Sequence, residues 1–347
     1  MTEKNTLRLP VDANAIDSQA SMAALSQGAE LLRRGGTVAF PTETVYGLGA
    51  NALDQRAVQS IFEAKQRPAW DPLIVHVANQ QQLEMVTMDI PCNGRLLMEA
   101  FWPGPLTLLL PKAPRVPEIV TAGRSRVGVR MPRHPVAHRL IELAGVPVAA
   151  PSANSFGKTS PTRADFVLQD LDGRIDAVID SGETALGLES TVVDACEEPP
   201  ILYRPGMVTL RQLHSVCPGL VVYREPQDGA SAGQPSEMRA SPGLGLKHYS
   251  PRARLILSDL DNLLRLAAQL HSAGETVGIM SPSAVVTELP YLIYEWGDLA
   301  DQEELARRMF RGLRELDAAG ATVIVCPLPE AEGLGVAIRD RLLKAAR

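Results

Sequence analysis

The sequence predicts an α/β protein built from two domains, and three observations lead to this prediction. The chain has 347 residues, more than one compact domain usually holds. Short apolar runs typical of buried strands alternate with amphipathic stretches typical of helices. The alternation stops at residues 225–251, which are rich in Gly, Pro and Ser, and resumes afterwards. We therefore predict a first domain over residues 1–224, a linker over 225–251 and a second domain over 252–347.

The first domain is predicted to begin with a helix followed by a strand. An amphipathic pattern covers residues 18–34 and ends at the Gly-Gly pair 35–36, a typical helix stop, after which residues 37–40 are apolar. Two further helical patterns cover residues 57–64 and 136–143. Short apolar runs predict the other strands, at residues 73–77, 106–110, 127–129, 146–149, 177–179, 191–193 and 201–203. This interleaved order favours a sheet covered by helices.

The second domain is predicted to repeat the alternation on a smaller scale. Its strand-like runs and helical patterns alternate as strand 255–257, helix 260–271, strand 277–280, helix 302–318, strand 322–325 and a last helix toward Arg347. Strands that alternate with helices in this way are typical of parallel sheets with helices on both faces. We therefore predict a small doubly wound domain.

Charge restricts the classes of function that the chain can have. Its net charge of −6 argues against a protein whose whole surface coats nucleic acid. Residues 112–139 nevertheless contain seven Lys or Arg and one acidic residue, a local net charge of +6. This basic stretch suits a polyanionic ligand such as a nucleoside triphosphate or an RNA backbone, and a solvated basic face explains it equally well.

The composition also bears on location and on cysteine chemistry. The first twenty residues lack the basic-then-apolar order of a secretory signal, and no run approaches the ~18 apolar residues of a membrane span. We therefore expect a cytoplasmic protein without membrane contact. The four cysteines are scattered and form no Cys-x-x-Cys pair, so they predict neither a disulfide framework nor a zinc knuckle.

Four polar segments rich in Pro and Gly lie beside predicted strands, where α/β sheets commonly bind ligands. The first, PTETVYGLG at residues 41–49, offers hydroxyls, a carboxylate and glycines, although a plain turn has a similar composition. The second, KQRPAWDPLIVH at residues 65–76, contains Lys65 and Arg67, two cations that can converge on one phosphate chain. A helix C-terminus also favours cations, and His76 taken alone is typical of a buried core histidine.

The third and fourth segments each join two stretches of the chain. The third combines RVGVRMP at residues 126–132 with the hydroxyl-rich loop APSANSFGKTSPT at residues 150–162, and Arg130 in it alternates with the valines of a short strand. The fourth combines LGLESTVVD at residues 186–194 with ILYRPG at residues 201–206. The chain has neither a P-loop nor a complete dinucleotide motif, so a nucleotide would have to bind in another way.

In order, spacing and wording these segments resemble the YrdC-type domain of threonylcarbamoyl-AMP synthases. The resemblance covers residues 20–213. The stretch SPGLGLKHYSP at residues 241–251 is similar to the linker of the family's two-domain form, and GLGVAIRDRLLKAA at residues 333–346 is similar to its C-terminal domain. The resemblance implies a YrdC-like twisted α/β sheet with a concave basic cavity, joined to a small Rossmann-like domain.

The resemblance also implies an activity, in which ATP, L-threonine and bicarbonate are joined into threonylcarbamoyl-AMP and pyrophosphate is released. Mg²⁺ is expected to be carried by the ATP phosphates, without a metal site made by the protein. The product would supply a tRNA threonylcarbamoyl transferase complex that modifies position 37 of tRNA. Weak RNA binding by the chain itself is left open.

Site residues follow from the resemblance, position by position. Those implied to hold threonine are Thr44, His76, Arg130, Ala150 through its backbone, and Ser190. Those implied to hold ATP are Lys65, Arg67, Asp71, Arg126, Ser152, Asn154, Ser160 and Arg204, of which Lys65 and Arg67 are predicted to be catalytic because they stabilise phosphate charge. Two positions depart from the family pattern: Asp71 replaces an expected asparagine, and Arg126 replaces a frequent threonine. An aspartate beside a triphosphate would repel it unless Arg or Mg²⁺ pairs with the carboxylate.

The linker and the overall activity each have an alternative interpretation. Ser241, His248 and Tyr249 are predicted to form a lid that keeps water from the mixed anhydride, whereas an ordinary tether is the alternative. An RNA-binding module that grips phosphate without catalysis is a second hypothesis, although aromatic residues make up only 4% of the chain. A third is transfer of a different carbamoyl group, as in larger proteins with acylphosphatase-like and zinc-finger segments, which this sequence lacks.

Overall fold

The computed structural model describes residues 4–224, 249–283 and 290–347, and these ranges contain two separate β-sheets. The strands are β1 (Leu7–Pro10), β2 (Val38–Pro41), β3 (Tyr46–Asn51), β4 (Ile74–His76), β5 (Leu106–Pro111), β6 (Arg126–Arg130), β7 (Val148–Ala149), β8 (Ala177–Asp180), β9 (Thr191–Asp194), β10 (Ile201–Arg204), β11 (Val221–Val222), β12 (Arg254–Ser258), β13 (Val277–Pro282), β14 (Leu292–Gly297) and β15 (Val323–Pro327).

The helices lie between these strands and cover both sheets. They are α1 (Gln19–Arg33), α2 (Gln55–Lys65), α3 (Gln80–Val86), α4 (Cys92–Phe101), α5 (Glu118–Thr121), α6 (Pro135–Ala144), α7 (Ala164–Leu171), α8 (Leu210–Val216), α9 (Leu263–Ser272), α10 (Gln302–Ala318) and α11 (Gly335–Ala345). None of the helices described is both long enough and apolar enough to cross a lipid bilayer.

The larger sheet has eleven strands in the order β1-β8-β2-β3-β7-β4-β6-β5-β9-β10-β11, and it mixes parallel and antiparallel pairs. The pairs β1–β8, β2–β8, β4–β6, β5–β9 and β10–β11 are parallel, whereas β2–β3, β3–β7, β4–β7, β5–β6 and β9–β10 are antiparallel. Strands distant in sequence therefore become neighbours, and the segments that follow them come close together.

Side chains on the two faces of the larger sheet belong to two hydrophobic cores. Along β2, Ala39 lies in one core, whereas Val38 and Phe40 lie in the other, as expected for the period of two of a strand. The second core is completed by α1 and α6, which pack against each other through residues such as Leu25 and Leu140. The sheet is therefore buried on both faces, which explains why its strands are continuous apolar runs.

The smaller sheet has four parallel strands in the order β12-β15-β13-β14. On one face α9 packs Leu263 and Ala267 against Val323 and Val325, and on the other face α10 and α11 cover Ile324. Helices on both faces of a parallel sheet confirm the predicted small doubly wound, Rossmann-like fold.

The predicted strands are present, each with its ends within two residues of the predicted ones. The patterns do not predict β1, β3, β11 or β14. The strand β3 lies in the segment for which a plain turn was the alternative, and it pairs with β2 and β7. Its Gly49 has no room for a side chain, because a Cβ atom would lie 2.7 Å from the side chains of Phe40 and Val148. Residues 225–248 of the predicted linker lie outside the described residues, and the predicted domain boundaries stay predictions.

Candidate active site

A cavity, here called the main cavity, lies where the four polar segments meet on the larger sheet. Its empty volume is about 580 Å³, counting the part open to solvent. Its walls come from the β2–β3 hairpin, from β4 and β6, and from the loops that follow β7 and precede β9. The lining residues are Thr42, Thr44, Val45, Gly47, Arg67, Pro72, Ile74, His76, Arg130, Ala150, Pro151, Ser152, Glu189, Ser190, Arg204 and Tyr249.

The charged groups in this wall are mostly cationic. Arg67, Arg130 and Arg204 line the cavity within the described ranges, together with the carboxylate of Glu189. All four side chains are buried or nearly so. Electrostatic interactions are stronger at such sites than in bulk water, so the wall favours an anionic ligand.

Arg130, at the end of β6, is the central cation at one end of the main cavity. Its Nη1 donates to the Thr44 hydroxyl at 2.9 Å, and its Nε donates to the carbonyl of Gly104 at 3.2 Å. Its Nη2 lies 2.8 Å from Glu43 Oε1 as an ion pair, but neither atom has an aligned hydrogen-bond partner in the described part of the chain. Burial raises the pKa of Glu43, but the nearby guanidinium outweighs this effect and holds that pKa below its ordinary value.

His76, at the end of β4, is a neutral imidazole in the wall of the main cavity. Burial, reinforced by the charge of Arg130, lowers its pKa to about 3. Its ring meets Phe40 edge-on, with 6.2 Å between the centroids, and its Nδ1 has no hydrogen-bond partner among the residues described. A neutral ring with an unpaired nitrogen can donate or accept one hydrogen bond from a ligand.

Hydroxyl and backbone groups complete this end of the cavity. The Thr44 hydroxyl lies 2.7 Å from that of Thr42, and the Ser190 hydroxyl lies 2.8 Å from that of Thr107. Ala150 donates its N–H to the carbonyl of Ile74 at 2.8 Å, which leaves its own carbonyl as the backbone group suited to a ligand. The structure therefore brings together the five residues predicted to hold threonine, here called the threonine end: Thr44, His76, Arg130, Ala150 and Ser190.

Two further arginines of the cavity wall, Arg67 and Arg204, are predicted ATP residues and are here called the phosphate end. The Nη2 of Arg67 lies 2.8 Å from Asp71 Oδ2 and donates to the carbonyl of Pro72 at 3.0 Å. The pairing with Arg67 removes the objection that Asp71 would repel a triphosphate. The Nη2 of Arg204 donates to the carbonyl of Ser190 at 2.9 Å, so Arg204 connects the two ends of the cavity.

Lys65, the second predicted catalytic residue, lies behind the cavity wall and is not one of the lining residues. It is the last residue of α2, which ends at Gln66 in the left-handed conformation. Its Nζ donates to the carbonyls of Ser152 and Asn154, both at 2.5 Å. Burial lowers the pKa of Lys65 well below its ordinary value. In this structure Lys65 holds the loop after β7, and direct contact with phosphate stays a prediction.

The loop after β7 contains the predicted ATP residues Ser152, Asn154 and Ser160. Ser152 lines the main cavity, and the buried Oδ1 of Asn154 has no hydrogen-bond partner within the described ranges. Ser160 donates to Glu189 Oε1 at 2.5 Å. The loop is therefore tied to the cavity wall on one side by Lys65 and on the other by Glu189.

Arg126 lies apart from the main cavity, in the wall of a second one. Its guanidinium pairs with Asp194 and with Glu197, the latter at 2.5 Å. The second cavity has an empty volume of about 910 Å³ and shares Pro72 with the main cavity. Its other lining residues are Leu73, Leu109, Thr121, Arg124, Ser125, Gly128, Asp194 and Tyr203. Contact between Arg126 and ATP stays a prediction, which would require the nucleotide to extend past Pro72.

Tyr249 is the member of the predicted lid that the structure describes, whereas Ser241 and His248 lie outside the described residues. The side chain lines the main cavity and packs on Phe310 of α10, with 5.7 Å between the ring centroids. Burial raises the pKa of its hydroxyl to about 12, so Tyr249 stays protonated at neutral pH. The end of the linker thus lies over the cavity, and the lid role itself stays a prediction.

Comparison with known proteins shows which family has this combination of domains. A family model described as Telomere recombination matches residues 30–206, and a model described as Threonylcarbamoyl-AMP synthase, C-terminal domain, matches residues 208–347. A threonylcarbamoyl-AMP synthase from Pyrococcus abyssi is 45% identical over 325 residues, with 92% of each chain covered. The chain belongs to the threonylcarbamoyl-AMP synthase family.

Other members of the threonylcarbamoyl-AMP synthase family support this assignment. The Bacillus subtilis synthase is 42% identical over 327 residues, which cover 93% of this chain and 92% of the relative. The crystal structure of P. abyssi Sua5 complexed with L-threonine matches with a TM-score of 0.89 and 42% identity, and 98% of each chain is covered. The family and fold predicted from the motifs are therefore confirmed.

Three charged residues of this synthase site were missed by the sequence interpretation. Glu43 and Glu189 directly precede the predicted residues Thr44 and Ser190, and this adjacency within the motif segments was the signal that could have identified them. Arg341 pairs with Glu189 from a position 152 residues away. No local signal connects Arg341 to the site, because the contact exists only in the folded chain.

Proposed function

We propose that the chain is a nucleotidyltransferase that forms threonylcarbamoyl-AMP from ATP, L-threonine and bicarbonate. The observation that carries this proposal is the buried Arg130 in the wall of the main cavity, which bonds the Thr44 hydroxyl at 2.9 Å and pairs with Glu43 at 2.8 Å. A guanidinium beside hydroxyl groups in a cavity suits the carboxylate of an amino acid. Membership of the synthase family supports the same substrate, and one relative has been crystallised with L-threonine.

The other groups of the threonine end suit the rest of the amino acid. With the carboxylate on Arg130, the carbonyl of Ala150 can accept from the amine, and the hydroxyls of Thr44 and Ser190 can bond the side chain. His76 is neutral, so it adds a hydrogen-bonding group without competing with Arg130 for the carboxylate. We expect these contacts to hold the amine in one orientation.

The nucleotide is proposed to lie across the phosphate end. We expect Arg67 and Arg204, which line the main cavity, to contact phosphate oxygens, and the base and ribose to lie in the second cavity beyond Pro72. The shared Pro72 makes the two cavities neighbours, which supports an extended nucleotide. Arg126 would then lie near the nucleoside.

The proposed chemistry needs positioning and charge stabilisation, without a covalent bond to the protein. The threonine nitrogen attacks the carbon of bicarbonate and, after loss of water, becomes a carbamate. A carbamate oxygen then attacks the α-phosphorus of ATP, the bond from that phosphorus to the bridging oxygen breaks, and pyrophosphate leaves with both electrons. Arg67 and Arg204 stabilise the negative charge that grows on the phosphates. Exclusion of water protects the mixed anhydride, and Tyr249 is placed to contribute to it.

Mg²⁺ is proposed to be carried by the phosphates of ATP and to neutralise part of their charge. The acidic side chains in and beside the main cavity are already paired with arginines: Glu43 with Arg130, Asp71 with Arg67, and Glu189 with Arg341. Mg²⁺ is commonly held by substrate phosphates and water rather than by a cage of protein ligands. Mg²⁺ held by the ATP phosphates is consistent with these three carboxylates, because each of them already pairs with an arginine.

The cellular role that we propose follows from the product. Threonylcarbamoyl-AMP is an activated acyl donor, so it requires a transferase that accepts the threonylcarbamoyl group. We propose a tRNA threonylcarbamoyl transferase complex in the cytoplasm as that acceptor system, which would modify position 37 of tRNA.

Pyrophosphate release from ATP tests the proposal. We expect release to require L-threonine, bicarbonate and Mg²⁺ together, and mass spectrometry to detect threonylcarbamoyl-AMP. Omission of each component in turn is the control. An RNA-binding module would instead bind RNA without releasing pyrophosphate, and that outcome would reject the proposed enzyme.

A further inference from the structure

The second domain contributes a buried charge to the wall of the main cavity. Arg341 of α11 is fully buried, and its Nε donates to Glu189 Oε2 at 2.9 Å. The other oxygen of the same carboxylate accepts from Ser160 at 2.5 Å. A side chain next to the smaller sheet therefore pairs with, and positions, a carboxylate in the cavity wall.

Several contacts hold the Arg341 side chain in this position. Its Nη1 donates to the carbonyl of Pro205 at 3.0 Å and pairs with Asp340 at 2.6 Å, and its guanidinium lies 5.3 Å from the ring centroid of Tyr249. Pro205 follows Arg204, whose side chain lines the main cavity. Arg341 thus contacts three parts of the cavity wall: the loop before β9, the end of β10 and the described end of the linker.

The loop that carries Glu189 is held against the second domain at a further point. Gly187 has a φ of +71°, and a Cβ atom there would lie 2.5 Å from the Cα of Arg307 in α10. Backbone packs directly on backbone at this contact. Gly206, which follows Pro205, packs against the backbone of Glu189 itself. A Cβ atom at Gly206 would lie 2.6 Å from the carbonyl oxygen of Glu189. The position of Glu189 is therefore tightly constrained.

We propose that Arg341 is a positioning residue for nucleotide binding, because it neutralises the Glu189 carboxylate beside the phosphate end of the cavity and holds it for Ser160. A carboxylate in this wall without a cation would repel a triphosphate, and a buried carboxylate that loses its partner is costly. The inference rests on the proposed function, since it assumes that ATP is the anion bound there. It also gives the second domain a role in the site.

A charge-rescue experiment tests this inference. Arg341→Met is expected to raise the KM for ATP about tenfold or more, because the buried carboxylate is left unpaired, and to change kcat much less. Adding Glu189→Gln to Arg341→Met removes the repelling charge and is expected to restore most of the ATP affinity. The matched control is Arg339→Met on the same helix, where the side chain donates to the carbonyl of Pro329 at 2.8 Å.

Each outcome decides between a positioning role and a merely structural one. A folded Arg341→Met variant with an unchanged KM for ATP, or a double variant as impaired as the single one, overturns the inference. If Arg341→Met does not fold, the double variant decides alone: a KM near that of the wild type supports the inference, and a tenfold increase rejects it. If the double variant does not fold either, Arg341→Lys decides, because a retained cation should keep the KM within about threefold.

The same variants separate this inference from the proposed function. Absence of threonine-dependent pyrophosphate release from the wild type would reject the proposed function. Calorimetric titration with ATP and Mg²⁺ would then still report whether Glu189→Gln rescues the affinity lost in Arg341→Met, because binding does not depend on turnover.

Discussion

The two ends of the main cavity are built in different ways. The threonine end is formed at the ends of neighbouring strands, with Arg130 on β6 and His76 on β4 at paired positions of the sheet. Arg204 of the phosphate end closes strand β10, whereas Lys65 holds the loop after β7 through two carbonyl groups and Arg341 holds the loop before β9 through Glu189. Strand pairing places His76 and Arg130, whereas long-range side-chain contacts hold the two loops. On the proposed function, we expect the positions of His76 and Arg130 to be rigid and nucleotide binding to depend on how the two loops are held.

Removing Arg130 gives the largest effect that we expect from this comparison. Arg130→Met should lower kcat/KM for L-threonine at least about a thousandfold, because the carboxylate loses its cation and buried Glu43 is left unpaired. Pyrophosphate release measures the loss, and calorimetry with L-threonine measures binding. Arg133→Met, three residues further along the chain and exposed, is the matched control. Substantial threonine binding by Arg130→Met would mean that the threonine end has been misassigned.

Changes at the phosphate end separate direct contact from support of a loop. Arg67→Ala combined with Asp71→Asn, which avoids an unpaired carboxylate, should lower kcat/KM for ATP about a hundredfold with the fold intact. Lys65→Ala should also abolish most adenylate formation, and it should lower the free energy of unfolding by about 1–3 kcal/mol because two loop carbonyls lose their donor. Turnover and chemical denaturation give the two readouts. Wild-type turnover in either variant would contradict the assignment of that residue.

His76 gives the smallest effect and tests how rigid the threonine end is. Its pKa is about 3 in the folded chain against an ordinary 6.5, so between these values the unfolded chain binds one more proton. The stability that neutral His76 contributes is therefore complete above pH 6.5 and is lost progressively as the pH falls toward 3.

Between pH 7 and pH 5 the wild type should lose about 2 kcal/mol more unfolding free energy than His76→Asn. Urea denaturation at several pH values measures the difference. Parallel curves for the two proteins would show that His76 titrates normally and is therefore accessible to water.

Local patterns predicted eleven of the fifteen described strands, and the four polar segments contain most of the cavity residues. Apolar runs predicted β4 and β6 because both strands are buried on both faces, and the motif resemblance identified the five residues of the threonine end. The glycines of β3 made it look like a turn, although the hairpin needs Gly49 for close packing against Phe40 and Val148. A pattern of residue types does not distinguish these two uses of glycine.

By itself the sequence determined the α/β class, the two units and the family, because hydrophobic period, turn residues and motif spacing are local properties of the chain. Tertiary structure alone decided which charges are paired. It placed Lys65 behind the loop, Arg126 in a second cavity and Arg341 on Glu189, 152 residues away. The physical reason is that a charge is neutralised by whatever lies within a few ångströms of it, and in a sheet with many crossovers those neighbours come from distant parts of the chain.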